Sequence, residues 1–118
     1  MAMHPREVLL GAQAAAGFLP ACDHYCGTEA RIAKALALQA ELIEEFGACV
    51  MDVTLDCEDG APAGAEKSHA NMVLAGVLSA QAAIKGIATR VAVRVHAVDH
   101  PAFELDVQTI VGGAGARL

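Results

Sequence analysis

Ala48-Cys49-Val50-Met51-Asp52-Val53-Thr54-Leu55-Asp56 runs directly into Cys57-Glu58-Asp59-Gly60-Ala61-Pro62. In the first half Met51, Val53 and Leu55 alternate with Asp52, Thr54 and Asp56, the period of a strand. The second half carries turn chemistry at Asp59-Gly60-Ala61-Pro62. A helical pattern follows. A strand that ends in a polar turn and leads into a helix is one β-to-α step, and its repetition along the chain decides the fold.

Downstream, an Ala-rich helix is predicted over 65–85. Residues 90–98 alternate again, with Val91, Val93 and Val95 on one face and Arg90, Ala92, Arg94 and His96 on the other. Asp99-His100-Pro101 then opens a helix with Glu104 in its first turn. Phe103, Val107, Ile110 and Val111 form its apolar stripe, and Gly112-Gly113 end it. Upstream, Thr28 caps a helix with Glu29 in its first turn. Ile32, Ala35, Leu36, Leu42, Ile43 and Phe46 fall on its apolar stripe, and Gly47 stops it. Residues 18–21 form a candidate first strand, and His4-Pro5 opens a helix over 4–16. Strands separated by single helices predict an α/β fold with a parallel sheet of βα units. In such sheets the chemistry sits at the carboxyl ends of the strands.

Composition narrows the function. The 118 residues (12.1 kDa) make one domain, 1–118. The chain is 55% apolar, but 26 residues are Ala, so Val, Leu and Ile must drive folding. Eight Lys+Arg against 14 Asp+Glu give a net charge of −6, and aromatics are 3%. There is no basic footprint and little surface for base stacking, so nucleic acid is excluded as a partner. An anionic membrane surface would repel the chain. No run approaches the ~18 apolar residues of a membrane span. Arg6 precedes an apolar stretch, but Glu7 and Gln13 interrupt the pattern of a secretory leader, and the expected location is cytoplasmic. Cys49 and Cys57 flank the strand as small hydrophobes. Cys22-Asp23-His24-Tyr25-Cys26 holds two thiols and an imidazole, but not at a standard zinc spacing, which favours ordinary reduced cysteines.

Asp56, Glu58 and Asp59 place three carboxylates where a strand meets a loop. They make either a solvated acidic turn or a polar cluster at an active-site mouth. Arg94 is mid-strand, and a buried guanidinium must be paired. Asp56 on the neighbouring strand is the natural partner. Arg94 is then either half of a structural ion pair or a fork that grips a substrate carboxylate bidentately. His96 lies two residues nearer the strand end. It either donates to a substrate oxygen or is a satisfied core histidine. His69 and His4 read as surface residues.

Leu55-Asp56-Cys57-Glu58-Asp59-Gly60-Ala61-Pro62, followed by Glu66-Lys67, resembles the "LDLEDGVP…EK" strand–loop–helix of the citrate lyase β-subunit and malyl-CoA lyase group, the HpcH/HpaI aldolase family. Arg90-Val91-Ala92-Val93-Arg94-Val95-His96-Ala97-Val98-Asp99-His100-Pro101 resembles that family's next strand, "VRVN…D.P". Its "DL..I…GADGI" passage is echoed by Leu105-Asp106-Val107 through Ile110 to residues 113–118. The resemblance is good over 48–118 and weak before that. It implies a magnesium-dependent carbon–carbon lyase on a (β/α)8 TIM barrel, acting between a 2-oxo acid and an enolate, in some members that of a CoA thioester. By that likeness Arg94 contacts the oxo-acid or enolate oxygens, Asp56, Glu58 and Asp59 form the acidic cluster beside the metal, and Glu66 and Lys67 are structural. His96 stands where the family usually has Asn. Phe18-Leu19-Pro20-Ala21-Cys22-Asp23-His24 lacks the basic residue of the family's "RS.L.VPG" pattern, which makes a free hydroxy or 2-oxo acid an alternative to a CoA thioester.

A full barrel needs about 250 residues. At roughly 30 residues per βα unit, 118 residues hold three or four units. The expectation is a partial barrel, the N-terminal helix plus the first three βα units. Its family metal ligands would lie beyond Leu118, it would be inactive alone, and it would assemble as a homo-oligomer. The competing reading is a small non-enzymatic α/β binding domain in which Arg94 and the carboxylates form a structural network.

Overall fold

A computed structural model describes residues 22–118. The helix expected over 4–16 and the strand expected over 18–21 lie outside the described residues. Strand β1 is Cys22–Cys26, helix α1 is Glu29–Phe46, and β2 is Met51–Asp56. Helix α2 is Glu66–Ser79. The two-residue strands β3 (Ala83–Ile84) and β4 (Ile87–Ala88) follow, then β5 (Val91–Arg94) and α3 (Phe103–Ala114). Strands β1, β2 and β5 form a parallel sheet in that order, so the α/β reading holds.

Register sorts the side chains. Cys26, Leu55 and Val93 share one face of the sheet, as do Val53 and Val91. Val53 and Leu55 have no exposed surface. They pack with Ile32 and Ala35 of α1, Val73 and Val77 of α2, and Ile110 and Ala114 of α3. Burying each Val or Leu contributes about 1.5–3 kcal/mol, so this face holds the sheet and helices together. The opposite face carries Asp23 and Tyr25, then Asp52, Thr54 and Asp56, then Ala92 and Arg94.

The caps of α1 form as expected. Thr28 Oγ1 accepts from the Arg31 N–H at 3.3 Å, and Gly47 closes the helix at φ 64°. Phe46 does not join the apolar stripe and is 59% exposed. Gln39 takes a place on that stripe instead. It is buried, and its Nε2 donates to Met51 O at 2.9 Å and Arg90 O at 2.8 Å. One amide thus ties α1 to the starts of β2 and β5.

Three expected boundaries move. The helix expected over 65–85 stops at Ser79, and residues 83–88 form a hairpin. Lys85 (φ 50°) and Gly86 (φ 78°) supply the two left-handed residues of its tight turn. The strand expected over 90–98 pairs only as far as Arg94. Gly112 and Gly113 lie inside α3 rather than ending it. A Cβ at Gly113 would come within 2.6 Å of the Leu74 side chain, so the glycine lets α3 approach α2.

Candidate functional site

The carboxyl ends of β1, β2 and β5 meet at Asp56, Asp59 and Arg94. Arg94 Nε donates to Asp56 Oδ1 at 3.0 Å, and its Nη2 donates to Asp56 Oδ2 at 2.5 Å and to Asp59 Oδ2 at 2.6 Å. Asp56 Oδ1 also accepts the backbone N–H groups of Glu58 (3.0 Å) and Asp59 (3.3 Å), which folds the loop back over the carboxylate. The Asp56 side chain is only 4% exposed, that of Arg94 is 37% exposed and that of Asp59 is 77% exposed. The pair is therefore graded, with one buried partner and one solvent-facing one.

Two loops close on each other to make this possible. A Cβ at Gly27 would lie 2.4 Å from the Asp59 carbonyl oxygen, and Gly60 (φ 93°) packs against the Gly27 carbonyl. No larger residue fits at Gly27 without moving the backbone that carries Asp59. Tyr25 covers the guanidinium from β1, with the Arg94 Cζ 5.2 Å from its ring centroid. His69 of α2 donates from Nε2 to the Asp56 carbonyl at 2.8 Å. It is buried, not a surface residue, because the helix presents it to the end of β2.

Electrostatics follow from these contacts. Burial pushes the Asp56 carboxyl up. The Arg94 hydrogen bonds, the two backbone N–H groups and the Arg94 charge outweigh this and hold it below the usual carboxylate range. The hydrogen bonds from Asp56 and Asp59 raise the Arg94 guanidinium further still. Cys57, the next residue, is pushed up to about 12 by burial and by the charges of Asp106 and Asp56. It is an inert thiol.

Of the five residues singled out in the sequence, the structure brings together Asp56, Asp59 and Arg94. Glu58 is exposed and contributes its backbone N–H. His96 follows the end of β5, and its ring turns to α3, where Nδ1 sits 2.5 Å from Asp106 Oδ2. Asp106, His69, Tyr25 and Gln39 carry weight that pattern reading did not assign. Asp106 alone left a signal, as the acidic residue in a family-like "DL" step.

No three His, Cys, Asp or Glu side chains converge as a metal site among the described residues. Asp56 and Asp59 already face Arg94, so they do not form the near-octahedral oxygen cage that magnesium demands. The Cys22/His24/Cys26 alternative fares no better. Cys26 is buried in the core with its thiol toward Thr54 O, while His24 is exposed. No helix among the described residues is long and apolar enough to cross a membrane.

No protein-family model and no curated protein matches the chain. Among solved structures it is similar to the crystal structure of a citrate lyase from Burkholderia xenovorans LB400, at 44% sequence identity and a TM-score of 0.64. The similarity covers 83% of this chain and 28% of that one. The resemblance carried by Leu55–Pro62 and Arg90–Pro101 therefore stands: over the residues compared the chain is citrate lyase-like, and it spans 28% of the length of the lyase it matches.

Proposed function

We propose that this chain supplies the first βα units of a (β/α)8 carbon–carbon lyase, a cytoplasmic enzyme that cleaves or forms a bond between a 2-oxo acid and an enolate. The observation that carries the reading is Arg94, fixed at the carboxyl end of a parallel sheet in a segment 44% identical to a citrate lyase. Magnesium and CoA enter through the resemblance alone, since the described carboxylates face Arg94 rather than a common point.

The geometry changes how Arg94 would act. Its Nε–Nη2 edge is filled by Asp56, so that edge is not free to grip substrate. Nη1 donates to nothing among the described residues, and Asp59 holds the second Nη2 proton from an exposed position. A substrate carboxylate that displaces Asp59 would meet the Nη1–Nη2 edge bidentately. Asp56 is then the anchor and Asp59 the placeholder. Tyr25 would shield the guanidinium on one side and strengthen its interaction with developing enolate charge.

The test is a coupled assay for 2-oxo acid release. Because this chain spans 28% of the lyase it matches, a full-length version of the protein is offered hydroxy acids, and acyl thioesters that keep a carboxylate on the hydroxyl carbon, with and without magnesium, together with Arg94→Lys. Lysine keeps the charge but loses the fork, so the expected loss is on the order of ten- to a hundred-fold in kcat/KM, without loss of folding. Absence of 2-oxo acid from every substrate would overturn the lyase reading. A specific observation supports the non-enzymatic reading as well: all three donors of Arg94 in use go to the chain's own aspartates. A variant that loses stability but no turnover would favour it.

A further inference from the structure

His96 and Asp106 meet where the segment after β5 crosses the first turn of α3. His96 is 7% exposed and Asp106 is fully buried. His96 Nδ1 lies 2.5 Å from Asp106 Oδ2, and the His96 backbone N–H donates to the same oxygen at 2.9 Å. A carboxylate accepts, so a ring proton sits on Nδ1, and in the neutral form of the ring Nε2 is the bare nitrogen. Nε2 has no hydrogen-bond partner among the described residues. The one fully buried, unpartnered side-chain N or O atom there is Asp106 Oδ1. His96 borders a cleft of about 360 Å³ together with Glu58, Glu66 and His100. His100 stacks on His96 with ring centroids 4.3 Å apart. Its Nδ1 accepts the Ala102 N–H at 3.0 Å, which leaves its own proton on Nε2.

We propose that His96 Nε2 accepts the proton of a ligand hydroxyl in this cleft, with Asp106 as its positioning residue. The Glu58 and Glu66 carboxylates border the cleft, so a neutral hydroxy ester probes the ring without charge repulsion. For the reaction served, the proposal rests on the lyase reading. In cleavage the O–H bond breaks and its proton moves to Nε2. The O–H electron pair forms the new C=O, and the pair of the broken C–C bond goes to the enolate. The imidazolium then returns its proton to the enolate carbon, so no further reactant is needed. The imidazolium would face Asp106 from α3, Glu66 from α2, Glu58 from the loop after β2, and His100.

Ring 15N spectroscopy of the intact chain decides this without turnover. Above the pH at which histidines titrate, His96 is expected to show a protonated Nδ1 and a bare Nε2. Ethyl 3-hydroxybutyrate should move the Nε2 resonance several times further than ethyl butyrate at the same concentration. Asp106→Asn should scramble the tautomer. His96→Asn keeps an N–H for Asp106, so it should preserve the amide spectrum while the Ala97 amide loses its preference for the hydroxy ester. A protonated Nε2, or equal shifts with both esters, overturns the proposal. A ring that responds while the lyase assay stays silent leaves the dyad standing and removes the lyase reading. Turnover without a ring response does the reverse.

Discussion

Arg94 carries five N–H donors in a rigid fork, and three of them are committed to Asp56 and Asp59. The two aspartates differ in what they cost to remove. Asp56 is buried, and its carboxyl is held below its usual range chiefly because the Arg94 and backbone hydrogen bonds overcome burial. A depressed folded pKa means the unfolded chain binds the proton first. This contribution is therefore fully present above the unfolded pKa of about 4 and is lost as pH falls through the lower folded value. Melts in acid should show the decline, and Arg94→Met should flatten it. An equal decline in both proteins would remove the assignment to this pair. Asp59 is exposed, so Asp59→Ala should leave the melting temperature nearly unchanged. If it is a placeholder, that variant should bind oxalate or pyruvate more tightly by calorimetry, and weaker binding would show it to be a substrate contact instead. The acidic cluster and Arg94 were legible in the sequence because charges next to valines demand partners. The split of the cluster into buried Asp56, exposed Asp59 and backbone-only Glu58 was not legible, because it depends on how the Gly27 and Gly60 loops close.

Helix α1 shows the same division at the scale of an element. Its caps and most of its stripe were readable from Thr28, Ile32, Ala35, Ile43 and Gly47. Gln39 was not, because polarity marks a residue as outward unless the neighbours that satisfy it are known. Here two strand carbonyls satisfy it. Gln39→Ala removes both bonds and leaves Arg90 O with only the Val53 N–H and Met51 O with the Cys49 thiol. The expected cost is about 1–3 kcal/mol, read as a lowered denaturant midpoint with unchanged slope. A shift within error would mean that water replaces the amide. The end of α2 was misjudged for a related reason. Alanine is the best helix former, and it hid the Ile84-Lys85-Gly86-Ile87 turn behind a run of good propensity.

For the whole molecule, the alternation of periods sufficed to give parallel strands separated by helices, because each period records one buried face. What it left out is the balance between the two faces of the sheet. The apolar sides of α1, α2 and α3 all go to the Val53 and Leu55 face. The other face presents Asp23, Tyr25, Thr54, Ala92 and Arg94, and β1 and β5 are the outer strands among the described residues. Outer strands carry rows of unpaired N–H and C=O groups that template further pairing. Tyr25, 54% exposed, adds apolar area beside them. The 118-residue chain should therefore associate as its concentration rises, which sizing chromatography with light scattering reads directly. Ala92 is exposed on β5, so Ala92→Lys places a charge at that outer strand and should shift the population toward monomer while leaving the melting temperature within a few degrees. A chain that stays monomeric at every concentration and melts cooperatively would show that the sheet needs no further partner. That result would move the balance from a partial barrel toward a self-contained binding domain.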